Sequence, residues 1–419
     1  MKLYIDPGTG SMLFTILLGL LGAAGFFLRN VFVRLRFLLT GGKAKKNAGE
    51  RLPFVIFSDD RRYWSTFEPI CDEFERRGVP LAYLTASPDD PALGKEYTHI
   101  SCRFIGEGNR AFARLNRLQA DVLLSTTPGL GVYQWKRSRE VKQYVHVLHM
   151  ATDPATYRMF GLDFYDAVIL SGEYQVAQIR EIERKRNLPE KELPLLGLPY
   201  LDRLAERVRE APALPDHCPT LLLAPSWGKS SLLNRYGEKI LEAALATGLH
   251  VIVRPHPQSF KSEKELLARL MKAYPNSDIL EWDSDPDNFE SLRRSDLMIS
   301  DFSGVMLDFT LVFQKPVLYA DTSFDTAPYD AWWLDEEKWV FKVLPRIGRR
   351  LDPGDLPRLK EIVGETLRSP ALKQSLEEVR AEAWVNPGES ARLIADYLIK
   401  KRDSLTESPS EEAPSAPLS

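Results

Sequence analysis

The sequence predicts an α/β protein: two Rossmann-like halves facing a cleft, preceded by an amino-terminal transmembrane helix. Three observations predict it. From residue 53 onwards, short apolar runs alternate with amphipathic stretches, as in a parallel sheet covered on both faces. A proline-rich break at Pro212, Pro215 and Pro219 interrupts that alternation, which then restarts. Residues 7–28 carry no charge, a length sufficient to cross a bilayer core.

The apolar run is rich in Leu, Phe, Gly and Ala, and basic residues follow it: Arg29, Arg34, Arg36, Lys43, Lys45 and Lys46. A cleavable leader carries its charge before the apolar stretch. Here the order is reversed, so the positive-inside rule puts the amino terminus outside and the bulk of the chain in the cytoplasm. A buried core helix is the competing reading; Gly19, Gly22 and Gly25 weaken a soluble helix more than a membrane one. Residues 1–40 are therefore expected to be anchor and juxtamembrane segment, with 41–52 a linker.

The remaining chain divides by its pattern. In 53–211, strands are expected at Pro53–Phe57, Leu81–Leu84, Arg103–Ile105, Asp121–Ser125, Tyr144–Leu148, Ala167–Leu170 and Leu193–Leu196, with helices including Tyr63–Arg77 and Glu173–Asn187. In 212–402, strands are expected at Thr220–Ala224, His250–Arg254, Asp296–Ser300 and Pro316–Tyr319. Helices there are expected at Leu233–Ala246, Lys261–Ala273, Val305–Phe313, Asp355–Leu367, Leu372–Ala383 and Glu389–Ile399. Residues 403–419 are dominated by Ser, Pro and Glu and predict a disordered tail. The net charge of −3 over 419 residues argues against nucleic acid as the main partner. Three widely spaced cysteines offer neither a disulfide framework nor a zinc site.

Three strand ends in the second half carry unusual loops: Pro225–Ser231, Pro255–Gln258 and Asp301–Gly304. In a parallel sheet all three reach the same carboxyl edge. They bring Ser226, Lys229, Arg254, His256, Asp301, Ser303 and the opening turn of a helix at Gly304 and Val305, an inventory suited to a diphosphate. An ordinary strand-to-helix loop with a Ser cap has the same spelling at Ser303. Gly228-Lys229-Ser230 is no P-loop, because the earlier glycine is missing. His256 lies between two prolines that fix its backbone. In the first half His146 and His149 sit at the end of one strand. Strand alternation leaves His149 at the edge as a candidate general base and His146 as a half-buried structural group. Asp153, Thr156, Tyr157 and Arg158 follow and suit an acceptor site.

The motif Arg254-Pro255-His256-Pro257, the run SDLMISDFSGVMLDF from Ser295 to Phe309, QKPVLYAD and GLPYLDRL together resemble the CDP-glycerol glycerophosphotransferase family of teichoic acid synthesis. The resemblance covers roughly residues 120 to 345; the amino-terminal opening is similar to that of membrane-tethered Gram-negative relatives. It implies a GT-B fold and transfer of glycerol phosphate from CDP-glycerol to a hydroxyl of a lipid-linked or envelope glycan acceptor, with release of CMP. It implies His149 as base, His256 as assistant to the leaving group, and donor binding by the Asp301–Gly304 loop, with Val305 and Asp308 in the helix behind it. No cofactor or metal is called for. Two departures stand out: Leu148 and Met150 flank His149 where the family frame has Trp and Gly, and Gly304 stands where it has Ser. They leave open CDP-ribitol or a nucleotide sugar as donor. They also leave open a GT-B glycosyltransferase or epimerase using a UDP- or GDP-sugar, and a membrane-tethered nucleotide-binding scaffold without activity.

Overall fold

The computed structural model describes residues 51–407 apart from 216–217, 302 and 321–325. The expected transmembrane segment and the tail beyond residue 407 lie outside the described residues. Among the described residues no helix is long and apolar enough to cross a membrane.

The first sheet comprises β1 (Leu52–Ser58), β2 (Leu81–Thr85), β3 (Ile100–Phe104), β4 (Ala120–Ser125), β5 (Val141–Val147) and β6 (Ala167–Ile169). They are parallel, in the order β3-β2-β1-β4-β5-β6. Phe54 to Phe57 and the whole of β4 are buried, so these strands show no alternation because both faces are covered. The covers are α1 (Trp64–Arg76), α2 (Asn109–Leu115), α3 (Glu173–Arg186) and α4 (Pro199–Glu210).

The second sheet repeats the plan with β7 (Thr220–Leu223), β8 (His250–Val253), β9 (Leu280–Trp282), β10 (Leu297–Ser300), β11 (Val317–Ala320) and β12 (Gly348–Leu351). Its order is β12-β11-β10-β7-β8-β9, again all parallel. Numbered within its own half, each sheet has the same strand order, that of a dinucleotide-binding fold. The helices are α5 (Leu232–Tyr236), α6 (Glu238–Ala246), α7 (Ser259–Ser262), α8 (Lys264–Ala273), α9 (Phe289–Arg294), α10 (Val305–Phe313), α11 (Trp339–Ile347), α12 (Leu359–Leu367), α13 (Pro370–Ala383) and α14 (Ser390–Glu407). One buried cluster joins Val55, Phe57 and Tyr144 of the first sheet to Leu222, Ile252 and Met298 of the second.

Several expectations change. Leu193–Leu196 forms only isolated bridges, Ala167 with Glu192 and Leu170 with Leu195. The expected helix 233–246 is split at Gly237, whose φ of 55° a glycine adopts at little cost. The last helix runs on to Glu407, through part of the expected disordered tail. It also leaves the second half: Ile394, Ala395 and Leu398 are buried with Phe67, Phe74 and Val122 of the first. Asp202 holds that crossing, accepting from the amides of Gly388 at 2.7 Å and Ser390 at 3.0 Å and from Trp384 Nε1 at 3.0 Å.

A second crossing lies between β11 and α11. Met159 N donates to Pro328 O at 3.2 Å and Asp330 N to Tyr157 O at 2.9 Å. The Asp330 carboxylate accepts from Phe160 N at 2.8 Å and Gly161 N at 3.1 Å. Arg186 of α3 sits between Asp330 and Asp163, the latter at 2.7 Å, and all three side chains are under a tenth exposed. Asp153, fully buried, accepts from Trp339 N at 2.7 Å and Val340 N at 2.9 Å, capping α11. Its carboxylate thus caps a helix, and the residue also lines the cavity beside His149.

Candidate active site

In an open parallel sheet a ligand crevice opens where the strand order reverses. Here those points fall between β1 and β4 and between β7 and β10. In the second sheet they bring together the loops carrying Ser226, Asp301 and Ser303, as expected. Their roles differ from one another, however. Asp301 is 1% exposed, and its carboxylate accepts from Ser226 N at 2.9 and 3.1 Å and from Leu232 N at 2.8 Å. It staples the loop after β7 to the end of β10 and is no phosphate contact; an anion would be repelled by it. Ser226 Oγ is buried without a hydrogen-bond partner among the described residues, a donor left for a ligand. Lys229 is exposed on the same loop, and Glu263 fixes that loop by accepting from Gly228 N at 2.9 Å.

Helix α10 begins at this edge. Its first bonds run from Met306 N to Ser303 O at 3.2 Å and from Leu307 N to Gly304 O at 3.0 Å. The amides of Ser303, Gly304 and Val305 precede any carbonyl of the helix and lie at its positive end.

Arg254 departs from expectation. It pairs with Asp283 and donates to Asp285 O at 2.6 Å, which turns the guanidinium away from phosphate duty and into bracing the end of β8. Asp308 departs too. It lies on the buried side of α10, accepting from Tyr200 Oη of α4 at 2.9 Å, and burial pushes its carboxyl up to about 7. It packs α10 against α4. With an unfolded value near 3.9, the folded state binds more protons between pH 4 and 7, so stability falls as pH rises through that window. Asp308→Asn keeps an acceptor for Tyr200 and removes the charge. Its melting temperature relative to the parent is expected to rise from pH 5 to pH 8, by the equivalent of up to about 2.7 kcal/mol; a pH-independent difference would refute it.

His256 is half-buried. Its Nδ1 accepts from Gln258 N at 3.1 Å, which leaves the proton of the neutral ring on Nε2. Its ring lies 6.3 Å from that of Trp227. Burial lowers its pKa, helped by the charge of Arg62 and opposed by Glu263.

From the first sheet, His149 follows the end of β5. Its Nδ1 lies 2.9 Å from Thr126 Oγ1 and 3.4 Å from Tyr157 Oη, and its ring packs on Tyr63 with centroids 4.7 Å apart. Burial, then the charge of Arg62, lowers its pKa to about 4. His146 is fully rather than half buried, with Nε2 3.0 Å from Tyr157 Oη; burial drives its pKa well down. A cavity of about 410 Å³ opens beside His149 between Tyr63, Tyr133, Met150, Tyr157 and Arg158.

Two observations bring the two histidines into one cleft. Arg62, its side chain two-thirds exposed, acts electrostatically on both. Met150, next to His149, reaches Gly304 at the start of α10, where a Cβ would stand 2.9 Å from its Sδ. Arg62, Tyr63 and Thr126 were not expected from sequence. They sit in the loops after β1 and β4, the other reversal point, and the strand order would have pointed there.

Residues 149–332 match the family model described as CDP-Glycerol:Poly(glycerophosphate) glycerophosphotransferase, so the chain carries a transferase domain of that kind. The match starts at His149 and takes in every loop of the second sheet described above. No curated protein sequence matches the chain. Among solved structures, the chain is similar to the Methanocaldococcus jannaschii UDP-GlcNAc 2-epimerase in complex with UDP-GlcNAc and UDP, at 13% identity and TM-score 0.55, over 83% of this chain and 100% of that one. It is similar to the S. aureus MnaA–UDP co-structure at 12% identity and TM-score 0.55, over 87% and 100%. A putative UDP-N-acetylglucosamine 2-epimerase from Listeria monocytogenes aligns at 13% identity and TM-score 0.54, over 86% and 99%. These likenesses establish a GT-B-like fold.

Proposed function

We propose, from the transferase domain that residues 149–332 carry, that this protein transfers glycerol phosphate, or a related alditol phosphate, from a CDP-alditol to a hydroxyl of a lipid-linked or envelope glycan acceptor. The observation that carries the reading is the meeting of His149 with the first turn of α10 across the Met150–Gly304 contact. The acceptor oxygen bonds to the β-phosphorus as its proton passes to His149 Nε2. The bond from that phosphorus to the bridging oxygen breaks, and CMP leaves with the electron pair. For Nε2 to accept, Nδ1 must carry the other hydrogen and donate it to Thr126 Oγ1, 2.9 Å away. A pKa near 4 keeps the ring neutral at pH 7. His256 Nε2–H, the amides of Ser303, Gly304 and Val305, Ser226 Oγ and Lys229 stabilise the charge on the departing nucleotide. Arg62 takes the share expected of Arg254. The apolar run and the basic residues after it belong to the same reading, holding the catalytic halves on the cytoplasmic face of an inner membrane.

Thermal shift of the detergent-solubilised protein tests the donor. Saturation with CDP-glycerol or CDP-ribitol at about 100 times Kd is expected to stabilise by about 2.7 kcal/mol. Stabilisation only by a UDP- or GDP-sugar would transfer the site to a nucleotide-sugar enzyme. A flat response to all of them would leave a scaffold without activity.

A further inference from the structure

Gly304 has φ −59° and ψ −23°, ordinary helical angles open to any residue. Backbone freedom is therefore not what favours glycine; a side chain here would have to displace the flexible end of Met150. A Cβ there would lie 2.9 Å from Met150 Sδ and 3.6 Å from its Cε, and among the described residues nothing else beyond its chain neighbours comes within 4 Å. Met150 follows His149 at the end of β5 and lines the cavity beside it. The thioether therefore occupies the volume a side chain at position 304, at the start of α10, would need. Met is unbranched and polarisable, suited to filling such an irregular gap.

We propose that Met150 and Gly304 are one steric unit that selects the head group of the donor: an acyclic alditol passes, and a pyranose ring is excluded. This rests on the transferase reading above. A β-phosphate held by the α10 amides and attacked from the His149 side carries its head group out of the space between them. Sδ and Cε of Met150 stand in that space. A flexible three- to five-carbon chain bends past a thioether, whereas a ring of fixed breadth needs the volume the thioether fills. The pair also makes the two positions interdependent: a larger residue at 304 must displace the Met150 thioether or meet a smaller residue at 150.

The test uses the full-length protein in four forms: the parent, Gly304→Ser, Met150→Ala and the double variant. Without any nucleotide, Gly304→Ser is expected to lower Tm in the parent and to lower it markedly less beside Met150→Ala. Additive Tm changes would overturn the steric unit. With nucleotide, kcat/KM for CDP-glycerol over CDP-glucose is expected to fall at least tenfold in Met150→Ala, mainly through a lower KM for the hexose donor. Thermal coupling with an unchanged ratio would overturn the selecting role. Absence of transfer from any CDP-alditol by the parent would instead sink the transferase reading, and the selecting role with it, while the nucleotide-free cycle still reports on the contact.

Discussion

Alanine at position 149 is expected to lower turnover by about 10²–10⁴-fold, the usual span of a general base, with little change in the donor concentration needed for half-saturation. The donor is held by groups of the second sheet together with Arg62, not by His149, so the loss belongs to kcat. Unchanged turnover would remove His149 from the mechanism. The pH profile adds a reading specific to this site. Burial, with Arg62, holds the imidazole near 4, and only the neutral ring accepts a proton. The acid limb of kcat/KM, which reports the free enzyme, is therefore expected well below pH 6, not at the ordinary histidine value of about 6.5. The same depression makes the fold acid-sensitive: between about 6.5 and 4 the unfolded chain binds the proton that folded His149 refuses, so His149's contribution to stability falls as pH falls through that window.

The largest stability effect is expected at Arg186. Its guanidinium lies between Asp163 and Asp330, over the rings of Phe160 and Trp333 with centroid distances of 4.8 and 4.9 Å. Burial holds both carboxyls above their ordinary value against the pull of that guanidinium. Arg186→Ala leaves two carboxyls buried with their principal counter-charge gone, a loss of about 3–5 kcal/mol. Urea unfolding should register it as a lower midpoint. Asp330 also holds the amides of Phe160 and Gly161, so the crossing segment should loosen, and turnover should fall with it. An unmoved midpoint would mean that water reaches the triad and the pair is worth no more than a surface one.

The central strands were legible because both their faces are covered, and a run such as Phe54–Phe57 has no other reading. β9 and β12 were not legible, and both lie at sheet edges. Leu280-Glu281-Trp282 and Gly348-Arg349-Arg350-Leu351 carry charge, as edge strands do to resist further pairing. The convergence of three loops on one edge followed from strand direction alone. The partners of individual charges did not: nothing local tells Arg254 to meet Asp283 or Asp301 to meet Ser226 N, because those pairings depend on which strands become neighbours. Met150 and Gly304 looked like two separate losses in sequence. In space they are one substitution of volume, moved from one half of the cleft to the other.

The return of α14 to the first sheet bears on how the protein is made. Ile394, Ala395 and Leu398 complete the packing on Phe67, Phe74 and Val122, yet they leave the ribosome roughly half a chain after β6. At about 5–20 residues per second that is a wait on the order of tens of seconds. For that time the first half presents an apolar slot to its surroundings. Completion of the two halves is then a single late event, set by the last helix to emerge.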